Sequence, residues 1–386
     1  MLSRKRLTLI ISVAVVLCVL IVVWWQQAAW RGWCYARQLS SAHLEKRIDI
    51  ATKLERLGLS GSQAVVNLLC SPRERACQNA TFALEHMLHH WSSEDRRYEL
   101  TLQYLADTCA NFSPLGQREC LLLLQQLFIE QKAPTTGQVL VATRLLSQVG
   151  AQAETRLAAL EVSAQLLQSW CTQSDQDQHR SNLVGSPETL IAQAKAWAVA
   201  GLKDENPAVR AAAVQLAVVP PLHALELLPP LLLGAQSDAS SEVRHLAILS
   251  LAEAEALLPT DQICRFLNDE APTVCLAAER VLRARGLSDA QVKLGKLIYH
   301  TDPAARAEVA ALVREHPELD SFVWFERLSG DPAPAVRAAT IRAMNQQQDP
   351  RVLTLLGHLA AEDNDPTVQE IARFFLERRA NGDLSR

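Results

Sequence analysis

The sequence predicts an all-α protein, an α-solenoid of stacked helical hairpins following one N-terminal transmembrane helix. Three observations lead there: a six-fold repeat in the C-terminal half, an apolar face of helical period in every copy, and an uncharged run of 19 residues near the N-terminus. The copies read Pro207-Ala-Val-Arg210, Ser241-Glu-Val-Arg244, Pro272-Thr-Val-Cys275, Pro303-Ala-Ala-Arg306, Pro334-Ala-Val-Arg337 and Pro366-Thr-Val-Gln369, with first residues 34, 31, 31, 31 and 32 apart. A fixed period of that size marks a stack of similar small units, each able to bury its apolar face only against a neighbour.

Within each copy, the third residue of the motif and those 3, 4, 7 and 8 positions later fall on one side of a 3.6-residue helix. All are apolar or Ala except Ser250, Glu308 and Thr340. Pro suits the first helical position, where its missing N–H has no partner to lose, and Asn206, Ser240, Asp302 and Asp365 stand before the helix as N-caps. A second apolar segment precedes each of these helices, as in 223–233 or 260–267, so two helices and two turns fill one period.

An acid stands six residues before the Arg position: Asp204, Asp238, Asp269, Asp331 and Asp363, with His300 in its place in the fourth copy and Asp302 one turn away. Paired with Arg210, Arg244, Arg306 and Arg337, these acids predict a structural ladder of ion pairs within or between units. The alternative is a basic stripe for an anionic ligand, which the matching acids disfavour. The Asp-to-Arg spacing together with Pro-x-Val-Arg-x-x-Ala resembles the HEAT repeat. The short period is most similar to the bacterial HEAT-like repeats of the phycobilisome-lyase type. Cys275 and Gln369 depart from the Arg position and weaken the resemblance there.

Residues 44–200 read as degenerate helical repeats, with Arg75, Arg118 and Arg156 as candidate landmarks 43 and 38 residues apart. The polar run 172–182 has no core-forming period and reads as an exposed loop. The uncharged run 7–25 follows Arg4, Lys5 and Arg6 and is long enough to span a bilayer, with Trp24, Trp25, Trp30 and Trp33 at the far interface. This predicts a cytoplasmic N-terminus (1–6), an anchor (7–25), a juxtamembrane segment (26–43), the degenerate repeats (44–200) and six regular repeats (201–386). The positive flank places the N-terminus in the cytoplasm, so the expected location is the inner membrane, single-pass, with the solenoid outside the cytoplasm.

Eight of nine cysteines lie outside the run, and Cys70 with Cys77, Cys109 with Cys120, and Cys264 with Cys275 straddle expected turns. They are candidate disulfides, or else small buried apolar residues. The chain carries a net charge of −4, and with three basic residues and no acid among the first 25 the remainder carries −7. Phosphate backbones require clustered Lys and Arg, so nucleic acid is not an expected partner.

No nucleotide-binding Gly-rich loop, Gly-x-Ser-x-Gly or His-Glu-x-x-His occurs, and no catalytic residue or cofactor is expected. His86 and His90, four apart in Glu85-His86-Met-Leu-His89-His90, are a weak metal candidate, two ligands being too few unless Glu85 or another repeat supplies the rest. HEAT-like iron hydroxylases carry paired His-Glu dipeptides, and this chain has none. The expected function is therefore a membrane-tethered scaffold that binds another, membrane-associated protein. The alternative from the resemblance is a phycobilin-lyase-like protein that handles a chromophore or cofactor.

Overall fold

A computed structural model describes residues 27–130, 135–147, 152–174, 187–219 and 236–380, together with 222 and 234, and these form helices and short connections without a strand. The chain divides into two compact units, Met1–Leu232 and Leu233–Arg386. After a helical stretch over 27–39, the first unit contains α1 (Leu44–Arg56), α2 (Leu59–Val66), α3 (Glu74–His90), α4 (Arg96–Thr108) and α5 (Pro114–Glu130). It continues through α6 (Thr136–Leu146), α7 (Ala153–Ser174), α8 (Pro187–Gly201) and α9 (Pro207–Ala217). The second unit contains α10 (Ser241–Ser250), α11 (Thr260–Phe266), α12 (Pro272–Ala284), α13 (Asp289–Ile298), α14 (Pro303–Leu312), α15 (Ser321–Ser329), α16 (Pro334–Met344), α17 (Pro350–Glu362) and α18 (Pro366–Ala380).

The expected anchor 7–25 lies outside the described residues. Among the described residues no helix is long and apolar enough to cross a membrane, which overturns the expected single-pass, extracytoplasmic placement. Trp30 and Trp33 stand exposed on the 27–39 stretch. The second apolar segment over 223–233 is also outside the described residues, whereas that over 260–267 is α11. The polar run 172–182 begins as the last turn of α7 and then leaves the described region.

Each unit is built of two helical rows. In the first, α1, α3, α5, α7 and α9 pack in succession, with α2, α4 and α6 as the second row. In the second unit α10 packs on α12, and α14 on α16 and α16 on α18, with α11 on α13 and α15 on α17 opposite. Row contacts are sparse at one place, between α12 and α14 and between α13 and α15. A continuous core starts on α13, at Leu294 and Ile298, and runs through Val309, Phe325, Val336, Ile341, Leu356 and Val368 to Ala372.

Local sequence explains the helix ends. Asn206, Asp302 and Asp365 accept the N–H two residues ahead, as N-caps do. Ser240 occupies the cap position without a side-chain hydrogen bond. Gly286 ends α12 at φ +89°, and the Leu287 N–H returns to the Leu282 carbonyl at 3.1 Å, a closure that favours glycine in the left-handed region. At Gly116 a Cβ would overlap the Leu69 carbonyl, so α5 approaches the preceding hairpin backbone to backbone.

Candidate functional site

Arg244, Arg306 and Arg337 each use two edges of the guanidinium. Nη1 of Arg337 donates to the Asp331 carbonyl of its own turn at 2.7 Å, while Nε and Nη2 fork onto the Asp363 carboxylate of the next copy, both at 2.8 Å. Arg306 does the same with the His300 carbonyl (2.8 Å) and Asp331 (2.7 and 3.0 Å), and Arg244 with the Asp238 carbonyl (2.8 Å) and Asp269 (3.0 and 2.7 Å). In the first unit Arg156 forks onto Asp204 at 2.6 and 3.0 Å, and Arg210 donates to the Asp204 and Glu205 carbonyls.

The acids also act twice. Oδ1 of Asp204, Asp238, Asp269, Asp331 and Asp363 accepts the N–H two residues ahead, at 2.8–2.9 Å, which shapes the turn before the helix. Asp302 is not a rung: its Oδ1 caps α14 through the Ala304 N–H. The pairs are largely buried, with side-chain exposures of 11% and 3% for Arg337 and Asp363. The Arg337 hydrogen bond holds the Asp363 carboxyl below the ordinary range. For Asp269, burial acts to raise the value, and the hydrogen bonds from Arg244 and the Ala271 N–H outweigh it.

Sequence spacing shows an Arg and an Asp in most copies but not that the fork joins residues 25 or 26 apart, from one copy to the next. Nor does it explain the exceptions. Gln369 Nε2 still donates to its own-turn carbonyl, Asp363, at 2.7 Å. Cys275 Sγ takes the same place, 3.2 Å from the Asp269 carbonyl, and His300 Nδ1 accepts the Asp302 N–H at 3.0 Å. Cys275 and His300 are the two halves of one rung, and both its charges are absent. That rung falls at the joint where row contacts are sparse.

The landmark register in the first unit is corrected as well. Counting from each helix start, as in the regular copies, gives Cys77, Gln117 and Arg156, 40 and 39 residues apart. Arg75 is exposed, and Arg118 pairs instead with Glu154 at 3.0 Å. Cys77 Sγ lies 3.2 Å from the Ser71 carbonyl, six residues back, and Ser71 Oγ accepts the Arg73 N–H, so Ser71 and Cys77 match Asp269 and Cys275 position for position.

The six cysteines expected in pairs are free thiols. Cys77 and Cys275 point at their own turns, Cys109 Sγ donates to the Ala106 carbonyl, and Cys264 faces Gly295 on α13. Burial raises the thiol of Cys77, Cys109 and Cys120, and that of Cys264 to about 11, which disfavours the thiolate needed for exchange. Cys70, the exposed member, has an inward-facing partner.

His86 and His90 are brought together with Glu55 of α1, not with Glu85. One ligand atom from each of the three lies within 4.8 Å of the others. His86 Nε2 is 3.4 Å from Glu55 Oε2 and 3.4 Å from Thr52 Oγ1, and the two rings are 4.4 Å apart between centroids. Burial, then the neighbouring His90, hold His86 below the ordinary histidine value. Glu55 is invisible to local pattern because it is 31 residues away from His86 and belongs to the adjacent hairpin.

The HEAT-repeat family profile matches residues 292–377, the segment that forms the continuous core of the second unit. Sequence comparison with curated proteins gave no match. Among solved structures, a chain from the tubulin-recruiting TOG domain arrays of microtubule polymerases is similar at 13% identity, over 89% of this chain and 91% of its own. Its TM-score of 0.26 is too low to support an argument. The chain thus contains HEAT repeats in its C-terminal part within an all-helical architecture.

Proposed function

We propose that this chain is a protein-interaction scaffold that acts by binding and not by catalysis. The observation that carries the proposal is where the repeated charges go: Arg244, Arg306 and Arg337 and their aspartates are engaged inside the stack. The residues held from copy to copy therefore serve stacking. Side chains that differ between copies are left to meet a partner, as befits an extended repeat surface. Four of these are large, apolar and more than two-fifths exposed: Leu276, Val323, Leu353 and Phe374. The anionic-ligand reading of the arginines loses support, since both donor edges of the Arg244, Arg306 and Arg337 guanidinium groups already have acceptors. No observation favours the chromophore-handling alternative.

Site-specific photo-crosslinking tests this reading. A crosslinker at Leu353 or Phe374 should capture a recurrent protein, and the adduct should disappear in Leu353→Asp and Phe374→Asp variants that retain their helical circular dichroism. Adducts of equal yield from any exposed position, or none at all, would overturn it.

A further inference from the structure

We propose that Glu55, His86 and His90 form a binding site for one divalent transition cation of the zinc class. The site does not depend on the scaffold reading. His86 and His90 leave the same face of α3 because they are four residues apart, and Glu55 reaches them from α1, which packs against α3. Two imidazoles and a carboxylate are a donor set that suits zinc, nickel, copper or iron(II) and not calcium or magnesium. Tetrahedral zinc with bonds of about 2.0–2.1 Å places its ligand atoms roughly 3.4 Å apart. His86 Nε2 and Glu55 Oε2 already stand at 3.4 Å. Drawing His90 in requires only a small side-chain movement from within the 4.8 Å cluster.

A second observation concerns the tautomer. His90 Nδ1 lies 2.7 Å from the His86 carbonyl oxygen. A carbonyl only accepts, so Nδ1 carries the proton and Nε2 presents its lone pair, the arrangement by which a backbone carbonyl orients a metal-ligating histidine. Thr52 Oγ1 donates to the Ile48 carbonyl at 2.9 Å and stands beside His86 Nε2 as a fourth polar atom. Arg97, whose charge interacts with Glu55, is forked onto Asp95 at 2.6–3.2 Å and so is partly neutralised. His90 is exposed, which leaves a coordination position open to water or to a partner's side chain. The residue after His86 is Met87, buried in the core, so no carboxylate stands where a water-activating base would be, and the proposal is for binding alone.

The test uses tag-free full-length chain with its thiols alkylated, titrated with cobalt(II) and then with zinc(II). One equivalent of cobalt(II) should bind, with d–d absorption, without thiolate charge transfer, and displaceable by zinc. His86→Ala, His90→Ala and Glu55→Gln should each weaken cobalt binding by about tenfold or more, and His89→Ala should leave it unchanged, with circular dichroism reporting the fold of each variant. The proposal is overturned if the parent chain binds no cobalt. It is equally overturned if binding survives in both His86→Ala and His90→Ala, or if His89→Ala weakens it as much as they do.

Discussion

The second unit and the α1–α6 part of the first solve the same stacking problem with different chemistry. In the second unit, neighbouring copies are joined by charged forks, Arg244–Asp269, Arg306–Asp331 and Arg337–Asp363, at a period near 31. In α1–α6 the buried polar joints are neutral, and the Arg144–Asp107 pair between α6 and α4 lies at the surface: Ser62 Oγ meets Thr101 Oγ1 at 2.8 Å, Gln138 Nε2 donates to Tyr98 Oη at 2.7 Å, and buried Asn79 donates to the Leu39 carbonyl at 2.8 Å. Helices there are longer, 17 residues for α3 and α5 against 10 for α10 and α14, and the period stretches to 39 or 40. Longer helices bury more apolar surface per joint, so register can be held by hydroxyl and amide pairs. Short helices bury less, and a buried bidentate pair supplies directional strength that apolar contact lacks. The Cys275–His300 joint is the exception inside the charged region, and the rows meet only sparsely there.

The largest effect should come from breaking a fork. Arg337→Ala leaves Asp363 buried and without its guanidinium, and should destabilise the second unit by about 3–5 kcal/mol in urea unfolding. The fork also predicts a pH dependence. Asp363 has a folded-state pKa below its unfolded value, so its contribution is fully present well above pH ~4 and is lost as pH falls through the folded value. Arg337→Ala should therefore flatten the loss of stability below about pH 5. An unchanged acid limb would show that the fork is not the linked group.

A neutral joint should matter less. Tyr98→Phe removes the hydroxyl that accepts from buried Gln138 Nε2 at 2.7 Å and should cost about 1–2 kcal/mol, with no change in the acid limb. A loss equal to that of Arg337→Ala would abolish the distinction between the two chemistries.

The smallest expected effect sharpens the exception. Cys275→Arg combined with His300→Asp rebuilds the missing rung and should show a favourable coupling of about 1 kcal/mol in a double-mutant cycle. Zero or unfavourable coupling would mean that the joint is too open for the fork to form, whatever residues occupy it.

Much of this organisation was legible in the sequence. The Val209, Val274 and Val336 positions mark the buried face because helical period is a local property. The identity of most ladder residues follows from spacing for the same reason. Register in the irregular half was not legible from arginine alone, since Ser71 and Cys77 hold the turn that Asp and Arg hold elsewhere, and Arg75 beside them is a surface residue. The cysteine pairs failed because sequence distance across a turn does not say which way a side chain faces. Cys264 looks toward α13 and Cys275 toward its own turn.

By itself, the sequence determined the all-helical class, the repeat phase, the helix starts and the charged residues kept from copy to copy, all of which depend on interactions within a few turns. Only the tertiary structure decided that Arg244, Arg306 and Arg337 reach forward to the next copy, that Cys275 and His300 vacate the same rung, and that Glu55 joins His86 and His90. Those pairings link residues 25–35 apart. They depend on how one hairpin is rotated and translated against the next, and this is fixed by the packing of whole helix faces.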